Sequence, residues 1–412
     1  MRKRNSAVVL LAVLILPVGN AVAAPYKFTN LYDSSGPFEN FGGFSSLGGP
    51  SLNNSGTVAF GARLDTGEEG IFTGSGGSTT TTIADTRGPF NSLLAPSLNN
   101  RGTVAFRADL DTGGAGIFVG SGGPTTTIAN SASFDDREPF LGLFYGPSLN
   151  DNGTVAFYFE NLEAANSVGV FTGAGGPLST IADTSTEPFL RGGAPSINNS
   201  GMVAFPGFFH QPGIFIGNGG PVTNITTDSP LPSFFESPSL NDSGTVAFVA
   251  GIVSELTDSG PFASAPSPGC EDFEEQGVFT SSGGLLTTIA RCFPIRLLLF
   301  PSLNNSGKVA FFAEDFDTGA GAIFTGPDLV ADKVIGAGDT VFGSMVVGLG
   351  MSRESLNDAG QIGFVYRLAD GSEGVARADP LVIPEPGTLP LLFIAGLLGA
   401  VVWRREINAD RS

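Results

Sequence analysis

Histidine and cysteine are almost absent from the sequence. It contains one histidine, His210, and two cysteines, Cys270 and Cys292, among 412 residues. A Ser-His-Asp catalytic system or a multi-histidine metal site would have to be built around His210 alone, so we interpret this residue as a turn or surface histidine. Two cysteines are also too few for a disulfide scaffold. The sequence therefore argues against these common catalytic and metal-binding arrangements.

Positive charge is scarce as well. The chain has 20 lysine and arginine residues against 39 aspartate and glutamate residues, and charged residues make up only 14% of it. Phosphate binding requires a basic surface, so nucleic acid is not an expected partner. The recurring segment GSGG lacks the following helix and lysine of a phosphate-binding loop, and we interpret it as a turn between strands.

The amino terminus combines a basic start with an apolar stretch and a small-residue site. The apolar stretch covers Ala7–Val18, and the small residues end at Ala23. This order predicts a secretory signal peptide over residues 1–23, cleaved after Ala23. An uncleaved anchor helix is the alternative, although the run is short for a membrane span.

The carboxyl terminus has a second apolar run, at residues 389–403. Its flanking residues are Pro384, Glu385 and Pro386 on one side and Arg404 and Arg405 on the other. As a helix this run would rise only about 22 Å, which is short of the roughly 30 Å hydrocarbon core. The segment therefore favours a sorting tail over a permanent anchor, with its positive charges on the cytoplasmic side.

This tail resembles the PEP-CTERM sorting signal of Gram-negative bacteria over about the last 30 residues. The resemblance implies recognition by an exosortase-type enzyme, which is a membrane protease-transpeptidase. It also implies a transient stay at the inner membrane, after which the body is released or attached at the cell surface. An ordinary tail anchor is the alternative.

Removal of both ends would make the remaining body more acidic. The ends carry six basic and two acidic residues, so the formal net charge changes from −19 to about −23. Because an exported chain meets an oxidising compartment, the cysteine pair predicts one bridge between Cys270 and Cys292. Two free, buried thiols are the alternative.

One phrase is repeated along the rest of the chain. PSLNNSGTVAF, at residues 50–60, recurs with small changes from residues 96, 147, 195, 238 and 301, and a weaker copy, ESLNDAGQIGF, begins at Glu354. Its central Asn, Asp and Gly residues favour a tight turn, and TVAF is typical of a strand whose alternate side chains face opposite ways. The repeat signature consists of Asn53, Gly56, Phe60, Asn99, Gly102, Phe106, Asn150, Gly153, Phe157, Asn198, Gly201, Phe205, Asn241, Gly244, Phe248, Asn304, Gly307, Phe311, Asn357, Gly360 and Phe364.

A second phrase follows each of the first five copies and predicts a hairpin. An example is GIFVGSGGPTTTIANS from Gly116, with an apolar strand, a Gly-rich turn and a Thr-rich strand. Each unit then holds four short strands, a to d, and the phrase glycines are separated by 46, 51, 48, 43, 63 and 53 residues. This pattern predicts an all-β, seven-bladed β-propeller of four-stranded antiparallel blades over residues 24–380.

The two ends of the repeat region complement each other. The seventh unit lacks a d strand, because residues 380–386 resemble a linker, whereas KFTNLYD from Lys27 is a d-type strand that precedes the first unit. We therefore predict that residues 27–33 complete the last blade and leave no sheet edge unpaired. A linear β-solenoid, the alternative architecture, would not need this complementarity.

The repeat resembles exported bacterial families that are named for an NxxGxVAF tandem repeat, over most of residues 50–364. That resemblance implies an extracellular location and no established activity. Beyond the propeller, residues 381–388 are expected to be a linker with the Pro-Glu-Pro motif, residues 389–403 a hydrophobic sorting or transmembrane segment, and residues 404–412 a cytoplasmic tail.

Acidic residues are concentrated in the b–c and d–a connections, which share one face of the predicted ring. No cofactor is required, but calcium is a candidate, because Ca²⁺ prefers several hard oxygen ligands. The candidate ligands are Asp109, Asp111, Asp315 and Asp317. Solvated turns are the alternative, since no complete calcium-loop spacing is present.

The expected function is a non-catalytic, exported matrix or interaction scaffold that contacts exopolysaccharide or other surface proteins. The alternative is a carbohydrate-active enzyme, a glycoside hydrolase or lyase, with carboxylates on the acidic face, since fold does not determine function. Paired carboxylates roughly 5 to 10 Å apart in a pocket at the ring centre would distinguish the enzyme.

Overall fold

The protein is a closed ring of seven antiparallel β-sheets, which confirms the predicted β-propeller. The computed structural model describes residues 26–42, 49–130, 146–160, 168–184, 193–209, 211–226, 235–252, 275–283, 285–291, 295–315, 318–328 and 330–381. Regular structure in these ranges is strand only. Within them, no helix is long and apolar enough to cross a membrane.

The first three blades follow the predicted order along the chain. Blade 1 contains β2 (Phe38–Phe41), β3 (Ser51–Leu52), β4 (Val58–Leu64), β5 (Glu69–Gly74) and β6 (Thr81–Asp85). Blade 2 contains β7 (Phe90–Leu98), β8 (Val104–Leu110), β9 (Ala115–Gly120) and β10 (Thr126–Asn130). Blade 3 contains β11 (Ser148–Leu149), β12 (Val155–Glu160), β13 (Val168–Gly173) and β14 (Ser179–Asp183).

The next three blades repeat this arrangement. Blade 4 contains β15 (Ser196–Ile197), β16 (Val203–Phe209), β17 (Gln211–Gly217) and β18 (Thr223–Asn224). Blade 5 contains β19 (Phe235–Leu240), β20 (Val246–Ile252), β21 (Glu275–Ser282) and β22 (Leu285–Arg291). Blade 6 contains β23 (Ile295–Leu303), β24 (Val309–Asp315), β25 (Gly321–Phe324) and β26 (Lys333–Gly336).

Blade 7 is built from both ends of the described chain. It contains β27 (Thr340–Val341), β28 (Ser344–Gly350), β29 (Ile362–Leu368), β30 (Glu373–Pro380) and β1 (Tyr26–Asp33). β1 pairs antiparallel with β30, from Tyr26 opposite Pro380 to Asp33 opposite Gly374. The predicted closure by the N-terminal strand is therefore confirmed.

The strand after each turn is buried on both of its faces, as its alternation predicts. In β4, Val58 and Phe60 belong to a core with Val375 of blade 7, whereas Ala59 lies in a core with Phe106 of blade 2. Val58, Ala59 and Phe60 are each 0% exposed. A bulky face of one sheet thus packs on a small face of the next, and identical sheets can stack around a ring.

A pair of phenylalanines links strands b and c within six blades. The ring centroids of Phe60 and Phe72 are 6.0 Å apart, and Phe106 and Phe118 are 5.9 Å apart. The four further pairs are Phe157 with Phe171, Phe205 with Phe215, Phe248 with Phe279 and Phe311 with Phe324. Burying one such side chain stabilises the fold by about 1.5–3 kcal/mol, so these pairs explain the fixed Phe in both phrases.

Candidate functional site on the ring axis

A polar pocket lies on the ring axis at the a–b turns. Its volume is about 160 Å³, and it is lined by the SLNN, SLND or SINN segment of the blades together with Arg353 and Glu354. The predicted acid-rich connections lie at the opposite ends of the strands. The pocket is therefore formed by the repeated phrase itself.

The first asparagine of each phrase holds its own turn. In blade 1, Asn53 Oδ1 accepts hydrogen bonds from the backbone N–H groups of Ser55 (3.1 Å) and Thr57 (3.0 Å). The N–H of Gly56 donates to the Asn53 carbonyl at 3.0 Å. The seven phrase glycines have φ between 76° and 85°. This left-handed conformation is unfavourable for residues that carry a side chain, but not for glycine. The spacing Asn-x-x-Gly is thus fixed by turn geometry.

The same asparagines also form a closed ring from blade to blade. Each Nδ2 donates to the backbone carbonyl of the next blade's asparagine, at 3.0–3.2 Å. The order is Asn53, Asn99, Asn150, Asn198, Asn241, Asn304, Asn357 and back to Asn53. These side chains are at most 5% exposed. We call this set the inner amide ring.

The next residue of each turn forms a second, exposed ring. Each backbone N–H donates to the Oδ1 atom of the next blade's side chain, at 2.8–2.9 Å. The members are Asn54, Asn100, Asp151, Asn199, Asp242, Asn305 and Asp358. Each of the three aspartates also accepts hydrogen bonds from both neighbouring amides. We call this set the outer rim.

The serine of the phrase forms a third layer below the inner amide ring. In six blades its Oγ accepts the backbone N–H of the following blade's Leu or Ile, at 2.9–3.2 Å. These residues, the hydroxyl ring, are Ser51, Ser97, Ser148, Ser196, Ser239 and Ser302. The seventh step differs, because Leu52 N–H donates to the Glu354 carbonyl.

Glu354 places a carboxyl group inside the hydroxyl ring. The hydroxyl of Ser51 donates to Glu354 Oε2 at 3.2 Å. The residue as a whole is only partly buried, but its carboxyl faces the ring, and burial raises its pKa above the ordinary glutamate value. The charge of Arg353 and the hydroxyls of Ser97, Ser148 and Ser51 partly offset that rise in pKa. The axis thus holds a carboxyl group that retains its proton more readily than an exposed one.

Arg353 crosses the axis beside it. The guanidinium Nη2 donates to the carbonyls of Gly146 (2.8 Å) and Pro147 (3.3 Å) in blade 3, and the hydroxyl of Ser239 in blade 5 donates to the Arg353 carbonyl at 3.3 Å. Burial lowers the pKa of the guanidinium, an effect that the charge of Glu354 opposes. Nη1 has no hydrogen-bond partner among the described residues. The two side chains together close the centre of the ring.

Sequence reasoning missed these two residues, although a signal was present. The position before the phrase serine is proline in the first six copies, but the seventh reads Arg353-Glu354-Ser355. By sequence alone, this copy is only the weakest match to the phrase. In the folded ring, however, Arg353 and Glu354 of blade 7 lie at the axis. There they line the pocket that the phrase segments of the seven blades form together.

The predicted calcium ligands lie apart from this site. Asp109 is in blade 2, where it forms an ion pair with Arg107 at 2.7 Å and accepts the Ser92 hydroxyl at 2.7 Å. Asp315 ends β24 in blade 6, so the structure does not bring Asp109 and Asp315 together. Asp111 follows blade 2's β8 and is exposed. No group of three or more potential metal-binding His, Cys, Asp or Glu residues occurs in the described part of the chain. Calcium binding stays a prediction.

Several predicted residues fall outside the described ranges. They are the signal peptide at residues 1–23, the sorting motif at Pro384, Glu385, Pro386, Arg404 and Arg405, the pair Cys270 and Cys292, His210 and Asp317. The disulfide between the two cysteines therefore stays a prediction.

Two family models match the sequence. One, described as a family of unknown function (DUF7453), matches residues 52–293. The other, the PEP-CTERM protein-sorting motif, matches residues 382–406 and confirms the predicted sorting signal. No curated protein matches the chain.

Solved structures with a similar fold are distant in sequence. TolB from Acinetobacter baumannii is 15% identical with a TM-score of 0.40, over 70% of this chain and 62% of TolB. YCF48 from Cyanidioschyzon merolae is 13% identical with a TM-score of 0.38, over 71% of this chain and 87% of YCF48. The polysaccharide lyase Uly1 is 9% identical with a TM-score of 0.38, over 79% of this chain and 88% of the lyase. Similarity at this level carries no argument about what this chain binds.

Proposed function

Since the chain belongs to the DUF7453 family, whose function is unknown, we propose its function from its own residues: an exported, surface-associated, non-catalytic scaffold. The PEP-CTERM motif implies that an exosortase-type enzyme processes the chain after export. The propeller would then be displayed at the cell surface, in contact with exopolysaccharide or other surface proteins.

The observation that carries this proposal is the use of the axial side chains. The inner amide ring, the outer rim and the hydroxyl ring all bond one blade to the next. Glycoside hydrolysis usually needs two carboxyl groups that flank one bond of the substrate. Here Glu354 is engaged by ring hydroxyls, and the rim aspartates accept amides from their neighbours. These groups support a rigid body better than a catalytic centre.

One observation favours the alternative, a carbohydrate-active enzyme. Burial raises the pKa of Glu354, and a carboxyl group that keeps its proton can act as a general acid. The site also opens to the surface at the outer rim. This second function moves the candidate carboxylates from the acid-rich connections to the ring axis.

The two proposals predict different behaviour of the purified, exported protein toward glycans. For the scaffold, we expect binding on an array of surface polysaccharides without release of new reducing ends or unsaturated products. A matched E354Q variant should bind equally well, because the amide keeps the shape of the side chain. Product release by the native protein that is lost in E354Q would establish the enzyme instead. Absence of binding to any glycan, and to proteins of the same cell surface, would contradict the proposed partners.

A further inference from the structure

Each of the six serines of the hydroxyl ring has an O–H proton that its bond to the next blade does not use. Each Oγ already accepts a backbone N–H from the next blade, so one lone pair is occupied while the O–H proton is available. The six residues are at most 7% exposed, and five of them line the axial pocket, where their O–H protons need an acceptor. The N–H groups approach from the neighbouring blades, and acceptors for the O–H protons lie on the axis.

Two acceptors on the axis come from the seventh blade. Glu354 Oε2 accepts the hydroxyl of Ser51 at 3.2 Å, and the hydroxyls of Ser97 and Ser148 lie close enough to lower the pKa of this carboxyl. The Arg353 carbonyl accepts the hydroxyl of Ser239 at 3.3 Å. Four of the six ring hydroxyls therefore lie beside one dipeptide, and two of them donate to it.

We propose that the hydroxyl ring is a binding site for a carboxyl group and that Glu354 is its built-in ligand. A circle of O–H donors matches the several lone pairs of a carboxylate, and the nearby guanidinium of Arg353 supplies a compensating positive charge. A cation is disfavoured there, because each Oγ already accepts an N–H from its neighbour. The proposal is independent of the scaffold function.

The chemistry of the other six blades supports this assignment. They carry proline where the seventh carries Glu354, so the ring receives one carboxylate in total. A second acid on the axis would repel the first at close range. Packing also excludes a second arginine from blade 1: Gly49 stands there in the place of Arg353, and a Cβ on it would approach the Met351 carbonyl carbon to 2.5 Å. One blade must therefore differ, and it is the one that closes the ring.

Chemical rescue tests the site in the full-length chain. The variant E354A removes the carboxyl group and leaves a space that formate or acetate can enter. We expect a lower melting temperature for E354A, and a saturable recovery of several degrees when sodium formate or acetate replaces sodium chloride at equal ionic strength. E354Q should not show this recovery, because its amide still fills the ring. The matched control E69A removes an exposed glutamate, and formate should not raise its melting temperature more than chloride does.

Three outcomes would overturn the proposal. The first is an E354A protein that gains no more from formate or acetate than from chloride. The second is an equal gain in E354Q or E69A, which would mark a general salt effect. If E354A does not fold on expression, its refolding yield is measured in each salt instead. A higher yield in formate supports the site, and an equal yield in formate and chloride is the third overturning outcome.

Discussion

Blade 7 has an arginine and an acid at its inner edge, on the ring axis, and another arginine and acid at its outer edge, where β1 pairs with β30. The pKa of the acid is shifted in opposite directions at the two edges. At the outer edge, Arg377 Nε donates to Asp379 at 2.7 Å. Burial opposes ionisation of Asp379, but hydrogen bonds from Arg377 and Thr29 and the charge of Arg377 outweigh it and lower the pKa. At the inner edge, burial prevails and raises the pKa of Glu354.

The difference lies in where each guanidinium points. Arg377 faces its own acid and also donates from Nη1 to the Gly56 carbonyl of blade 1 at 2.9 Å. Arg353 instead donates to the carbonyls of blade 3, so its charge only partly offsets the effect of burial on the pKa of Glu354. Adjacency in sequence therefore does not determine whether an arginine–acid pair stabilises the ionised acid; the direction of the donors does.

The largest effect is expected when the outer edge is broken. Deletion of residues 24–34 removes β1, exposes the backbone edge of β30 and uncovers the cores that Leu31 and Tyr32 fill. Losing those two buried side chains alone should cost about 3–6 kcal/mol. The free edge should also promote oligomers. Thermal melts and sedimentation measure both effects, and a monomer with unchanged melting temperature would contradict the role of this closure.

A smaller effect is expected when the inner edge is broken at Asn357. N357A removes the Nδ2 donor to the Asn53 carbonyl (3.0 Å) and the acceptor for the Gln361 N–H (3.0 Å). Because these groups are buried, their loss should cost about 2–4 kcal/mol in the free energy of unfolding. N198A, in the middle of the ring, loses equivalent bonds and is the matched control.

Equal losses in N357A and N198A, measured by chemical denaturation, would indicate that the inner amide ring is continuous across the closure. A negligible loss in both would contradict its role in holding the blades together. A much larger loss at Asn357 alone would mean that the inner closure is weaker than the other six steps and depends on this one amide.

The two edges also differ in how far they could be predicted from the sequence. The outer closure was predictable because a missing strand at one end and an extra strand at the other can be counted, and unpaired edges are costly. The inner edge was not, because its rings use the same polar residues that any tight turn uses. Only their repetition around an axis makes Nδ2 of one asparagine meet the carbonyl of the next, and this depends on the distance between sheets.

Glu354 illustrates the same limit at one residue. Replacement of proline by glutamate in the last copy resembles random drift when the copies are aligned as text. Its meaning depends on the direction of that position in the folded ring, which no single repeat contains. Conversely, the acid-rich connections predict a binding face because charged residues can be read from the sequence. The pocket, however, lies at the other end of the strands.

The pH dependence of stability sharpens the comparison between the two edges. At the outer edge, the lowered pKa of Asp379 means that its contribution is present above the unfolded-state pKa and is lost as pH falls through the folded-state pKa. D379N should therefore destabilise the protein by about 1 kcal/mol near neutral pH, and the difference from the native protein should vanish in acid.

At the inner edge the sign is reversed. The raised pKa of Glu354 means that ionisation is costly in the folded state, so its penalty is absent below the unfolded-state pKa and grows as pH rises through the folded-state pKa. E354Q should thus gain stability relative to the native protein as pH rises. Denaturation curves from about pH 2 to pH 8 test both variants, and parallel pH profiles for D379N and E354Q would contradict the contrast.

The smallest effect is expected at the solvent side of the inner edge, where the outer rim is exposed. Asp358 accepts the amides of Asn54 (2.8 Å) and Asn305 (3.1 Å), and D358N would turn its own amide toward one of them. Water can replace the lost bond at an exposed site, so the change should stay within about 0.5 kcal/mol. D151N is the matched control in blade 3, and because Asp151 and Asp358 share no amide partner, the double variant should equal the sum of the two single changes. A loss at Asp358 as large as that in N357A would mean that the outer rim, rather than the inner amide ring, holds the closure.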